Sequence, residues 1–326
     1  MEKLYPLTFD PIFKEKLWGG QKMRSYLDKD FGSTANCGES WEISGVNGDV
    51  SVVADGPLKG NSIRELIKIY RGDLIGNKVY EATGEEFPLL VKFLDAAKDL
   101  SIQVHPDDRL AAERHNSKGK TEMWYIIQAD DDALITTGFN RPLDKKSYLE
   151  YFNSGRIEEV LNREEAYAGD TFFIPAGRVH TIGQGILLAE IQQTSDITYR
   201  IYDFDRTDDQ GNKRELHTEQ ALEAIDFKQY DTYKNKYAKE KNKPVKLAEC
   251  PYFCTNVLEV DERLTRHYEE LDSFVILICT EGEVTLEAGE HSVTLSKGRS
   301  LLLPAAFKKV TLYADKEARL LESYIP

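Results

Sequence analysis

The sequence predicts a mainly β protein, built as two barrel-like units with small helical insertions. Three observations carry that prediction. From Phe87 onward β-type runs follow one another (PLLVKFLDA, LSIQVHP, TEMWYIIQA, ALITTGF), and the same texture resumes from AGDTFFI to RIYDF. Residues 247–326 are a compact stretch of short strands with turn signals such as EGEV and AGEH, the size and pattern of a small β-sandwich or barrel. The spacing Gly169-x5-Pro175 recurs 129 residues later as Gly298-x5-Pro304, an internal repeat. The chain has 326 residues, and at roughly 150 residues per domain that length also predicts two domains.

Taken in order, residues 1–60 are rich in Gly and Pro, with short β-type runs at WEISG and DVSVVA. Apolar spacing at Ile63, Leu66, Ile67 and Tyr70 predicts a helix within 61–80. PDDRLAAERHNSKGK reads as a short helix capped by Asp107 or Asp108 and closed by Gly119. Residues 142–163 read as two short helices broken at Asn153–Gly155, and 218–227 as a helix with Thr218 at its N-cap. Six lysines between Lys234 and Lys246 mark a solvated linker. The expected division is therefore 1–230 with its helical insertion at 142–163, a linker at 231–246, and a second unit at 247–326.

A hydrophobic content of 41% and a charged content of 30% are globular values, which set aside disorder and a membrane bundle. The net charge of −14 argues against nucleic acid as a partner. It argues mildly against an anionic ligand too, since a negative surface repels one at long range. Cys37, Cys250, Cys254 and Cys279 form no C-x-x-C pair and are expected reduced. No signal-peptide run and no stretch near the roughly 20 apolar residues of a membrane helix is present, so a cytoplasmic location is expected.

Gly169-DTFFI-Pro175-A-Gly177-RV-His180 fits G-x5-P-x-G-x-x-H, the second signature motif of the cupin superfamily of jelly-roll barrels, which often hold a metal. In the repeat, Ala306 replaces the second glycine and Lys309 the histidine. The expected fold is thus two cupin-type jelly-roll barrels, the second without metal ligands. A ligand set can be assembled in the first. Gln103 and His105 lie two apart on a strand and so share a face; Glu122 opens the next strand, and His180 ends the motif. Two imidazoles, a carboxylate and an amide oxygen suit a divalent ion, zinc being favoured by the histidines. His115, His217, His267 and His291 have no partner pattern and are expected at the surface. Gly183-Gln184-Gly185 has Leu188 where a dinucleotide fingerprint needs a third glycine.

FPLLVKFLDAAKDLSIQVHPDD, GKTEMWYI, IPAGRVHTIG and AEIQQTSDITYRIYDFDR together resemble the type I mannose-6-phosphate isomerases (phosphomannose isomerases) in their short bacterial form, and KLWGG and GESWEISG fit as well. The resemblance runs from about residue 5 to 206; the C-terminal part carries no specific motif. It implies one zinc ion per chain, held by Gln103, His105, Glu122 and His180. It further implies an essential Arg200, an active-site Lys120, a substrate-binding Ser101, and Glu190 lining the same pocket, with Glu190 the candidate base. The implied reaction interconverts mannose 6-phosphate and fructose 6-phosphate through an enediol, with a small sugar phosphate as partner, no nucleic acid or membrane, and a monomer or homodimer as the working unit. A non-catalytic double-cupin sugar- or metal-binding module would not need Lys120 and Arg200, and a cupin dioxygenase would favour a more histidine-rich site.

Overall fold

Strands with no exposed face should lie between two layers rather than at a surface. Cys37–Ser44, Leu89–Ala96 and Ile186–Gln193 are buried at every position. The computed structural model, which describes residues 2–207 and 210–326, shows why. Among the described residues four antiparallel sheets stack in series, with 40% of the chain in strands and 16% in helices, and none of these sheets closes into a barrel. The largest has the strand order Ile12–Gly20, Cys37–Ser44, Leu89–Ala96, Ile186–Gln193, Glu122–Ala129, Thr171–Ile174, Lys234–Asn235. A five-stranded sheet faces it, in the order Tyr199–Tyr202, Ile102–Val104, His180–Ile182, Leu134–Phe139, Leu161–Glu165. The C-terminal part adds a five-stranded sheet centred on Ala318–Tyr324 and a four-stranded sheet from Leu264–His267 to His291–Ser296.

Side-chain alternation sorts the seven-stranded sheet into two faces. Val91, Phe93, Met123, Tyr125, Ala189 and Ile191 join Phe253, Val257, Ile276, Ile278 and Leu321 of the C-terminal part in one core. The intervening residues Leu94, Trp124, Ile126 and Leu188 pack toward Ile135 and Ile182 of the facing sheet. A third core, with Leu258, Leu277, Leu286 and Leu312, lies between the two C-terminal sheets. Helices Asp108–His115, Lys145–Asn153 and Thr218–Ala224 cover the outer face of the N-terminal five-stranded sheet, around Val104, Tyr148, Ile201 and Ala221.

Several expectations change in detail. The helix expected within 61–80 is three short pieces, Ile63–Tyr70, Gly72–Ile75 and Asn77–Thr83. The last break falls at Gly76, where φ is +94° and a Cβ would lie 2.1 Å from the Asp272 carbonyl oxygen. Asp107 is the N-cap of its helix, but the helix ends at His115 with Asn116 left-handed, not at Gly119. His217, not Thr218, occupies the N-cap of the Thr218–Ala224 helix, and its side chain makes no cap bond. The lysine-rich segment expected as a solvated linker is partly docked: Lys234–Asn235 pairs with Thr171–Phe172, and Tyr233 is buried against Gly138 and Phe139.

The repeat keeps its backbone logic. Gly169 and Gly298 both have positive φ, and a Cβ on Gly298 would meet the Leu27 carbonyl oxygen at 2.4 Å. Gly177 also has positive φ, whereas its counterpart Ala306 does not. Lys309, in the place of His180, is exposed. Lys309→Ala is accordingly expected to leave turnover within about twofold of the parent, as surface changes away from a site do. Steady-state kinetics check this, and a large loss would give the second copy a catalytic part.

Candidate metal centre and active site

Cross-strand neighbours in an antiparallel pair share a face, so register alone builds two opposed rows. In the five-stranded sheet Arg200 pairs with Gln103, Gln103 with His180, and His180 with Thr137. In the seven-stranded sheet Trp41 pairs with Lys92, Lys92 with Glu190, and Glu190 with Trp124. One step further along the seven-stranded sheet, Gln192 pairs with Glu122. Toward the other end the same face turns apolar at Leu94, Ile126 and Leu188. The polar ends of the two rows enclose a cavity of about 300 Å³. Its walls include Ser101, Gln103, Lys120, Glu190 and Arg200, together with Lys16, Glu39, Trp41, Lys92, Asp196 and Arg214.

Beside this cavity His105, Glu122 and His180 bring one ligand atom each within 4.8 Å of one another, and all three are buried. Glu122 Oε2 lies 3.4 Å from His105 Nε2, and Glu122 Oε1 3.4 Å from His180 Nε2. Each imidazole is oriented by its far nitrogen: His105 Nδ1 is 2.9 Å from the Ile197 carbonyl, and His180 Nδ1 is 2.8 Å from that of Arg178. A carbonyl can only accept, so both Nδ1 atoms carry the proton and both Nε2 atoms present lone pairs inward. Glu122 Oε1 and His105 Nε2 have no hydrogen-bond partner despite complete burial, and Glu122 Oε2 has only the Lys120 ammonium, 3.1 Å away. Buried polar atoms are seldom left so, and a divalent cation is what this donor set would satisfy.

Electrostatics agree with that arrangement. Burial opposes charge on Glu122, but the Lys120 ammonium 3.1 Å away holds its carboxyl well below the usual range. Burial, with Lys120 adding to it, lowers His105 from 6.5 to about 3, and burial lowers His180 as well. Both rings are therefore neutral ligands at neutral pH. The unfolded chain takes up protons that the folded site refuses. Stability of the metal-free protein should thus be complete above about pH 6.5 and fall progressively as pH drops toward 3. Urea midpoints between pH 7.5 and 4.5 check this against His105→Asn, which should show a shallower decline; parallel curves would contradict it.

The remaining expected residues also meet here. Gln103 lies beside the cluster, its amide nitrogen 3.2 Å from His180 Nε2 and its oxygen accepting from Ser101 Oγ at 3.3 Å. Amide oxygen and nitrogen are assigned from such contacts, and a half-turn exchanges them. Arg200 donates from Nη1 to the Glu215 carbonyl, while its Nε is buried without a partner. Burial and then the neighbouring Arg214 guanidinium lower its pKa. Glu190 is fixed by Lys92 Nζ at 2.8 Å and by Trp124 Nε1 at 2.9 Å. Of the four histidines expected at the surface, His115 and His267 are exposed, but His217 and His291 are half-buried.

Sequence reading missed Lys92, Glu39 and Arg214. A single lysine inside the apolar run PLLVKFLDA was the available signal for Lys92, as the lone glutamate in ILLAEIQQ was for Glu190. Burial opposes charge on Lys92, yet Glu190 and Glu39 together push its pKa above the usual lysine value. Glu39 is held down at about 2, against the pull of burial, by Lys92 and Lys16.

Comparison with known proteins shows the family of the chain. Residues 7–130 match the family model "Phosphomannose isomerase type I, catalytic domain", and residues 243–325 match "Mannose-6-phosphate isomerase, cupin domain". The chain is 37% identical to the mannose-6-phosphate isomerase ManA of Bacillus subtilis over 92% of its own length and 93% of the relative's. The chain belongs to the type I mannose-6-phosphate isomerase family. A mannose-6-phosphate isomerase of Streptococcus mutans is 35% identical, with 96% of each chain covered. The crystal structure of the mannose 6-phosphate isomerase from Bacillus subtilis superposes with a TM-score of 0.88 at 34% identity, covering 98% of this chain and 99% of that one. A phosphomannose isomerase of Salmonella typhimurium, at 17% identity and a TM-score of 0.80, shares the fold.

Proposed function

We propose that this chain interconverts mannose 6-phosphate and fructose 6-phosphate, and that Gln103, His105, Glu122 and His180 hold one zinc ion for the purpose. The observation that carries the reading is the buried His105–Glu122–His180 cluster, with ligand atoms lacking partners, beside a cavity whose walls carry Lys120 and Arg200. Family membership favours it over a silent sugar-binding module and over a dioxygenase.

Moving a proton between C2 and C1 requires a base, stabilisation of the enediolate oxygens and an anchor for phosphate. Bound at the cluster, a divalent ion supplies Lewis acidity toward a sugar oxygen. Arg200 offers a planar guanidinium with an uncommitted Nε to a phosphate or a developing oxyanion. Lys120 and Ser101 line the same cavity and contribute further donors. Glu190 is our candidate for the proton transfer, fixed in orientation by Lys92 and Trp124. Trp41 and Trp124 offer the sugar ring an apolar wall.

The division at 1–230, 231–246 and 247–326, two jelly-roll units and a cytoplasmic location complete the proposal. Among the described residues no helix is long and apolar enough to cross a membrane. The test is conversion of mannose 6-phosphate by the full chain. Chelation should abolish it and added zinc restore it; full activity in metal-free protein would overturn the metal reading, and no conversion with zinc bound would overturn the function.

A further inference from the structure

Lys120 and Glu122 point into the site from either side of Thr121, so the backbone of that one residue sets them both. Gln193 grips the two peptides that flank Thr121. Thr121 N–H donates to Gln193 Oε1 at 2.9 Å, and Gln193 N–H donates to the Thr121 carbonyl at 3.1 Å. Gln193 in turn is oriented by Asp108: its Nε2 donates to Asp108 Oδ1 at 2.9 Å. The same oxygen accepts from Gly119 N at 2.8 Å, one residue before Lys120. The other carboxylate oxygen, Asp108 Oδ2, accepts from the hydroxyl of Tyr252, at 2.8 Å. Tyr252 belongs to the C-terminal sheets, in the turn between Pro244–Cys250 and Phe253–Val260.

We propose that Asp108 and Tyr252 are positioning residues for the active site, through which the C-terminal unit fixes Lys120 and Glu122. This rests on the reading of those two residues as site residues. A carboxylate accepting three hydrogen bonds is a rigid junction, and charge-assisted bonds of this kind are shorter and stronger than neutral ones. It ties together three segments that no single strand connects: the turn after His105, the loop before Lys120, and the end of the Ile186–Gln193 strand. Gly119 makes the junction possible, since a Cβ there would sit 2.6 Å from the Asp108 backbone nitrogen. Burial and the Asp108 carboxylate raise the Tyr252 hydroxyl to about 12, so it remains a donor at physiological pH. Tyr252, Asp108 and Gln193 also line a second cavity, of about 350 Å³, which shares no lining residue with the first. Removing the hydroxyl therefore enlarges an existing space rather than opening a hole in the core.

Tyr252→Phe in the full chain is the test, because it deletes one oxygen and keeps the ring. Partners that orient metal ligands typically matter by 10–100-fold, so kcat should fall about tenfold with KM changed less than twofold, and zinc should be lost about tenfold more readily to a competing chelator. In an Asp108→Asn background the same change should cost less than about twofold, since the two act through one junction. Parental kcat and zinc affinity in Tyr252→Phe would overturn the proposal, as would losses that add fully across the pair. If Asp108→Asn does not fold, Tyr252→Phe alone decides. The zinc competition needs no turnover, so a parent protein that binds zinc without isomerising mannose 6-phosphate sinks the functional reading and leaves this one decided by the zinc arm.

Discussion

Glu122→Gln is expected to abolish metal retention and turnover together while leaving the shape of the site in place. The amide is isosteric, but it offers no negative charge to a cation and none to Lys120, whose ammonium lies 3.1 Å away and is 5% exposed. Zinc affinity should fall by more than about 100-fold, beyond the range seen for groups that only orient ligands. The metal-free variant should also lose stability, because removing one partner of a buried ion pair leaves an uncompensated charge at a cost of about 3–5 kcal/mol. Chelator competition and thermal unfolding measure the two effects separately. Retention of zinc at parental affinity would remove Glu122 from the ligand set.

Arg200→Ala is expected to separate chemistry from metal binding. Arg200 sits one strand beyond Gln103 in the row that also carries His180, and it donates one hydrogen bond to a backbone carbonyl while its Nε stays unpartnered. Deleting a preorganised donor from a site where negative charge develops commonly costs 10²–10³-fold, so kcat/KM should fall by about that factor. Zinc affinity should stay within about twofold. Arg200→Lys should recover little, since an ammonium cannot reproduce the planar fork. Unchanged kinetics in the alanine variant would exclude Arg200 from the site.

The local part of this site was legible in the sequence. Gln103 and His105 two apart, Glu122 at the start of a strand and His180 after its Gly-Pro turn are short-range patterns, Lys120 was marked by the family resemblance, and each of these residues comes to the same place. Burial periodicity likewise exposed most strands. Partnerships made across strands were not legible, because they depend on register between segments far apart in the chain. Lys92 meets Glu190, 98 positions away, only because Leu89–Ala96 and Ile186–Gln193 lie antiparallel in one particular alignment. Asp108 announced itself as a helix-capping candidate; its junction with Gln193 and Tyr252 needs the packing of the C-terminal sheets against the N-terminal ones. The fragmented helix in 61–80 was hidden for the same reason, since Gly76 yields to the distant Asp272 carbonyl.

The seven-stranded sheet has apolar residues on the face turned away from the site, and the C-terminal strands cover them. The second half of the chain therefore holds two kinds of position. Ala306 and Lys309, which stand where the second glycine and the histidine stand in the first copy, are exposed. Phe253, Ile276, Ile278 and Leu321 are not, for they complete the hydrophobic interior of the first half. The second half thus serves as the other side of its neighbour's core, and neither half can be removed without exposing an apolar face of the other.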